Sequence, residues 1–454
     1  MSSHVQKENK MGTMPVPKLL FQMSIPMMLS MLVQALYNVI DSIFVAQINE
    51  NALTAVSLAF PLQNLMIAIA VGTSVGVNAL LSRSLGEKNM KAAQDTARNG
   101  IFLSIVSCIV FALFCLVIIG PFLKFQTDDT QILEYGTTYL RIVTLLCAGV
   151  FIEIMLERLL QSTGRTVHTM ISQGFGAIIN IAFDPILIFG LLGFPRMGVA
   201  GAAAATVLGQ FCAMFLALFL NLRCNKEISI NMKGFHPDRA IIGTIYSVGV
   251  PSIIMQAIGS VMTFGMNKIL IQFTSTATAV FGVYFKLNSF IFMPVFGLNN
   301  GMVPIVAYNY GARNKQRLMQ TVKLSIITAI CVMLIGLSLF MLIPGQLLGL
   351  FNASEEMLTI GIPALRIIAL SFIFAGYCIV VGSVFQALGN GVYSLIVSVC
   401  RQLLVILPAA ALLAKVGGLH AVWWAIPIAE LVSVTLSTFY FRKIYKEKIA
   451  PLGE

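Results

Sequence analysis

The sequence predicts an all-α membrane protein of twelve transmembrane helices, arranged as two six-helix bundles related by a pseudo-twofold axis along the membrane normal. Three observations carry that expectation. First, of 454 residues 58% are hydrophobic and only 10% charged, against roughly 25% charged in soluble domains; a mean hydropathy of +0.89 excludes a soluble class. Second, twelve apolar stretches long enough to cross a bilayer follow one another. Third, motifs of the first six stretches return in the second six at a constant offset.

The spans fall at 19–46, 52–82, 92–122, 132–161, 166–192, 197–222, 240–272, 277–308, 318–350, 356–388, 392–415 and 420–443. Met1 to Lys18 is polar and the first apolar stretch is too long for a signal-peptide core, so no cleaved leader is expected. The connections at 47–51, 123–131, 193–196, 273–276, 351–355 and 416–419 carry only Lys124 and Arg196. The opposite connections and the tails carry Lys7, Lys10, Arg83, Lys88, Lys91, Arg165, Arg223, Lys226, Lys233, Arg239, Arg313, Lys315, Arg317, Lys443, Lys446 and Lys448. The positive-inside rule then places both termini in the cytoplasm, in the plasma (inner) membrane. The net charge of +11 is read as these loops and not as a nucleic-acid surface. The expected organisation is a tail 1–18, an N-lobe 19–222, a cytoplasmic linker 223–239, a C-lobe 240–443 and a tail 444–454. The cysteines lie mostly in apolar runs without a CxxC, so buried free thiols are expected.

The repeat is visible residue by residue. Ile25-Pro26 returns as Val250-Pro251, Gly72 as Gly297, Gly86-Glu-Lys-Asn89 as Gly311-Ala-Arg-Asn314, and Gln161-Ser-Thr-Gly164 as Gln386-Ala-Leu-Gly389, all displaced by 225 positions. Later, Gly198 pairs with Gly418 and Gln210 with Glu430, displaced by 220. Six helices per unit make the repeat parallel, with a cleft between lobes and alternating access by rocking.

In the first span Gln34, Asn38 and Asp41 share one helical face. An acid inside a spanning helix costs roughly 2.5–3.5 kcal/mol on insertion scales and marks a functional site. The fifth span carries Asn180 and Asp184 at i, i+4. Counted from the helix ends, Asp41 and Asp184 lie within about one turn of the same depth; Tyr139 and Thr206, from the fourth and sixth spans, reach the same level. Two carboxylates in a shared dry site cannot both ionise cheaply, which suits a proton carrier. With amide and hydroxyl oxygens they equally suit a sodium ion at Asp41, Asn180, Asp184 and Thr206. Pro26 and Pro185 free backbone carbonyls and allow bending.

With its Ile-Pro and Asp41 in the first span, the two Gly-x-x-Asn loops, Gln161-Ser-Thr-Gly-Arg165 and Asn180-Ile-Ala-Phe-Asp-Pro185, the chain resembles the MATE (multidrug and toxic compound extrusion) transporters, bacterial DinF-like branch. The resemblance spans essentially the whole chain. It implies export of organic, often cationic amphipathic compounds in exchange for protons or sodium ions, with no cofactor and as a monomer. It also implies that Asp41, Asp184, Asn180, Tyr139, Thr206 and Gln34 form a first-lobe cation-coupling site.

Other polar residues inside the spans are read as follows. Glu153 and Glu157, beside Arg158 and Arg165, are expected to form an interfacial salt-bridge cluster. The C-lobe departs from the N-lobe: Met266 stands where Asp41 would repeat, nothing near Pro408 matches Asp184, and Gln256 replaces an acid that several sodium-coupled members carry. Lys286, Arg366, Arg401 and Glu430 are expected to form a charged network, or alternatively a basic patch serving substrate or coupling. Between the lobes, Asn38, Phe60, Phe281, Phe285, Phe290 and Met293 are expected to line an adaptable cavity. A lipid-linked oligosaccharide flippase of the same superfamily is the rival function, kept by the basic C-lobe residues and opposed by the paired N-lobe acids. An enzyme is not expected: His4, His168, His236 and His420 are scattered, with neither HExxH nor GxSxG.

Overall fold

A computed structural model describes residues 9–453; Lys7 and His4 of the expected tail lie outside the described residues. The chain begins with α1 (Lys10–Thr13) and α2 (Val16–Ala46), followed by α3 (Glu50–Gly86), α4 (Met90–Lys124), α5 (Thr130–Leu145), α6 (Ala148–Ser162), α7 (Thr166–Phe189) and α8 (Val199–Cys224). The second half comprises α9 (Arg239–Leu270), α10 (Ser275–Gly311), α11 (Lys315–Leu342), α12 (Pro344–Gly349), α13 (Glu355–Ala369), α14 (Phe372–Ala387), α15 (Gly391–Val399), α16 (Leu407–Val422) and α17 (Ala425–Ile444), with a π-helical turn Cys400–Ile406 between α15 and α16. No strand occurs among the described residues.

The twelve expected spans map onto these helices with two breaks. The fourth span is α5 plus α6, bent by 45°, and the tenth is α13 plus α14, bent by 49°. The breaks, at 146–147 and 370–371, are themselves related by the repeat. Neither has a proline at the bend, so the uninterrupted apolar run conceals it. At the second, the Ser371 hydroxyl donates to the Ile368 carbonyl at 2.6 Å, a side-chain substitute for helical pairing. The eleventh and twelfth spans meet inside α16, where Gly418 takes φ 70°. Its repeat partner Gly198 takes φ 57° at the start of α8. Both need a residue without a Cβ. Lys88 (φ 57°) and Arg313 (φ 56°) show the same duplication in residues that pay for a left-handed conformation.

The lobes meet along α2 with α10 and α3 with α9. Repeat-related glycines make the seam: Gly72 lies against Gly249 and Ile253, Gly76 against the Ile245 carbonyl, Gly86 against Tyr308, Gly297 against Met28, Gly301 against Ser24 and Gly311 against Arg83. Small residues allow backbones to approach where lipid supplies no hydrophobic drive. Arg158 Nη1 donates across the lobes to Asn300 Oδ1 at 2.9 Å. The seam occupies the half of the molecule that carries both chain ends, as α1 packs on Asn309 and Arg317 and Lys315 donates to Ala450. That half is closed. Towards the opposite face α2 becomes loosely packed, with Val33, Leu36, Val39 and Ile43 all more than 40% exposed. Of the expected buried thiols, Cys108, Cys115 and Cys147 are buried, whereas Cys212, Cys224, Cys378 and Cys400 are half-buried and Cys331 is exposed, because these apolar runs also present faces away from the core.

Candidate functional site: a paired-carboxyl centre in the N-lobe

Helical period places Ser30, Gln34, Tyr37 and Asp41 along one stripe of α2, and Gln173, Asn180 and Asp184 along a stripe of α7 that packs on it. Asp184 is completely buried and Asn180 is 3% exposed. The carboxyl groups of Asp41 and Asp184 come within interaction range of one another. Two carboxylates at that range repel, so the pair favours a proton on one of them or a cation between them. Asn180 completes the centre when its amide nitrogen faces Asp184: it donates to Asp184 Oδ2 at 3.2 Å and accepts from the Thr206 hydroxyl and amide, each at 3.2 Å. That orientation satisfies donor and acceptor together. The Thr206 side chain comes from α8. Asp41 Oδ1 and Asp184 Oδ1 are buried without a hydrogen-bond partner. A sodium ion would use these two oxygens with the Asn180 and Thr206 oxygens, a hard-donor set of suitable chemistry. A single proton held between the two carboxyl groups would neutralise the same pair.

Tyr139, 2% exposed, donates to Gln63 Oε1 at 3.4 Å and lies within electrostatic reach of both acids. Tyr37, half-buried, also lies within electrostatic reach of both acids and was not among the expected residues. Its signal was present: Ser30, Gln34, Tyr37 and Asp41 continue the polar face by successive helical turns.

A cavity of about 120 Å³ runs beside the centre, room for several waters. Gln34, Tyr37, Asn180 and Thr206 line one part and Glu153, Glu157, Gln173 and Gln210 the other. The expected salt-bridge cluster of Glu153 and Glu157 is therefore corrected. Glu157 accepts from Ser172 Oγ at 3.1 Å and Gln173 Nε2 at 2.7 Å. Arg158 turns to Gln161 and Asn300, because adjacent residues of a helix do not face each other.

The C-lobe residues do not converge as a group of four. Arg401 and Glu430 pair at 2.8 Å. Lys286 is exposed and lies 5.8 Å over the Phe351 ring. Arg366 is exposed and donates through Nε to the Met341 carbonyl at 3.2 Å. Long stems let both cations reach away from the interior. Of the residues expected along the cleft, Asn38, Phe60 and Phe290 are exposed, while Phe285 and Met293 are half-buried. Phe281 is the correction: at 1% exposure it stacks on Tyr284 and meets Phe285 and Trp423 inside the C-lobe core.

A duplicated twelve-helix scaffold with buried acids in one lobe defines a secondary membrane transporter. The MatE family model matches residues 26–186 and 251–411, the second copy again displaced by 225. The chain belongs to the MatE family. It is 27% identical to the Multidrug export protein MepA of Staphylococcus haemolyticus over 93% of this chain and 92% of that one. Its fold is similar to a multidrug resistance MATE family transporter of the MOP superfamily in an outward-facing conformation, with TM-score 0.91 and 27% identity over 98% and 99% of the chains. It is also similar to a MATE structure in the bent conformation, with TM-score 0.89 and 26% identity over 96% of each chain.

Proposed function

We propose that this protein is a secondary active multidrug efflux antiporter that exports cationic, amphipathic organic compounds in exchange for protons. Two buried carboxyl groups side by side, Asp41 and Asp184, each with an Oδ1 that has no hydrogen-bond partner, carry the proton assignment. Such a pair holds one proton readily and releases it when a positive charge comes close. The adjoining cavity supplies the place for that charge: Glu153 and Glu157 line it, with no cation among its lining residues. A compound with a cationic head and an apolar body would seat the head there and lay the body towards the loosely packed face of α2. Substrate and proton then compete for one electrostatic environment, the condition for exchange transport.

Both termini lie in the cytoplasm in this reading, supported by the charge asymmetry of the connections. The closed seam is then the cytoplasmic side, and the N-lobe centre faces outward. Proton entry from outside discharges the pair and releases substrate outward. Rocking about the glycine seam returns the site to the cytoplasm, where the proton leaves and substrate reloads. The chain acts as a monomer, since the cleft and the centre are both complete within it.

Purified protein in proteoliposomes, with ethidium as probe, tests the reading. Transport is expected under an imposed proton gradient without sodium. Transport only under a sodium gradient, with none under the proton gradient, would replace the shared proton by a sodium ion at Asp41, Asn180, Asp184 and Thr206.

A further inference from the structure

On the face that carries the chain ends, a second cavity of about 720 Å³ opens between α1, the α6–α7 turn and the linker after α8. Its charged lining is Lys10, Arg165, His168, Lys226 and Glu227. Three permanent cations thus face one carboxylate, and that carboxylate is already engaged: Asn9 Nδ2 donates to Glu227 Oε2 at 2.6 Å. Arg165 Nε and His168 Nδ1 are buried without hydrogen-bond partners. Arg165 also sits at the N-cap of the 24-residue α7 with no side-chain cap, so first-turn amides of α7 point towards the same region. Burial, with Arg165 beside it, holds the Lys10 ammonium below its ordinary range. Burial pushes Glu227 up, which makes it a weak counter-ion. The cations of this cavity outnumber its one carboxylate.

We propose that this cavity binds a phosphate-bearing anion, with Arg165, Lys10 and Lys226 as its cationic ligands. A guanidinium fork with two ammonium groups matches phosphate oxygens in number and charge. The surroundings point to a lipid headgroup as the source. Val167, itself part of the lining, is exposed, and the exposed Ile171 lies one turn further along α7. Phe21 and Ile25 are exposed on α2 around Gln22, another lining residue. Apolar strips therefore leave the cavity along two helices, where acyl chains would lie.

The site is placed to act on both lobes. The Met11 carbonyl accepts from Arg317 Nη2 at 3.0 Å and from Asn309 Nδ2 at 3.2 Å, and the Met14 carbonyl from Arg317 Nη2 at 2.6 Å. The same short segment reaches the N-lobe through Asn9, which donates to the Thr163 carbonyl at 3.2 Å. An anion joining Lys10 to Arg165 and Lys226 would complete a clamp across the closed seam.

The test uses the full chain in neutral detergent, titrated separately with short-chain phosphatidylglycerol, short-chain phosphatidylcholine and inorganic phosphate. Melting temperature is one readout. The other is the distance distribution between spin labels at Lys91 on α4 and Lys323 on α11. Phosphatidylglycerol is expected to raise the melting temperature and narrow the distribution. Lys10→Gln with Lys226→Gln, which leaves Arg165 in place, is expected to weaken the apparent affinity by about tenfold or more. Inorganic phosphate producing both effects at the same concentration would identify a free anion as the occupant. An equal response to phosphatidylcholine, or an unchanged response in the double variant, overturns the site. A melting response without narrowing overturns the clamp.

Discussion

In the proposed exchange mechanism the chemistry turns on Asp184. It is completely buried, lies beside Asp41 and is held by Asn180. Asp184→Asn keeps the shape and the hydrogen bonds but removes the second titrating group. Proton-driven efflux is expected to fall to background in proteoliposomes, with folding by size-exclusion profile unchanged; a variant exporting at the wild-type rate would remove Asp184 from the coupling role. Asn180→Ala should instead cost stability, about 1–3 kcal/mol for a buried acceptor left without its donor, read as a lower melting temperature. At this scale the polar residues were the legible ones. In lipid both the outer surface and the core are apolar, so a stripe carrying Gln34 and Asp41 declares its direction while a phenylalanine does not. That is why the paired acids could be found from spacing and Phe281 could not be told from a cleft residue. Glu157 was misread for a related reason: proximity in sequence to Arg158 suggested a pair that helical geometry forbids.

At the scale of elements, α2 runs without interruption through Pro26. The residues around that proline are pinned, Ser24 against Gly301 and Met27–Met28 against Gly297, while the following turns are loosely packed. A proline between a fixed half and a free half is a natural pivot, since it has already removed one helical hydrogen bond. Discharging Asp41 is expected to let the free half of α2 close on α7, with the C-lobe moving little. Spin labels on the far ends of α2 and α9 should report two distances interchanged by pH and unaffected by sodium at constant pH. One distance throughout the titration would exclude the bend. The helix breaks show the limit of sequence reading here. The α5–α6 and α13–α14 bends lack a proline at the bend, so they belong to tertiary packing and leave no local signature.

For the whole molecule, the duplication was readable because the same seam is built twice, and each copy needs glycine at the same points. A Cβ at Gly76 would collide with the Ile245 carbonyl. Gly76→Ala should therefore prise open the side carrying the chain ends, increasing the labelling of cysteines introduced at seam positions on that side; unchanged labelling would mean the seam yields. In the proposed mechanism substrate and one proton exclude each other at the Asp41–Asp184 pair. Proton release on adding ethidium to the purified protein in weakly buffered detergent measures this most directly. About one proton is expected to be released per substrate bound, and Asp184→Asn to abolish the release. Stoichiometric ethidium binding to the wild type with no proton released would contradict it.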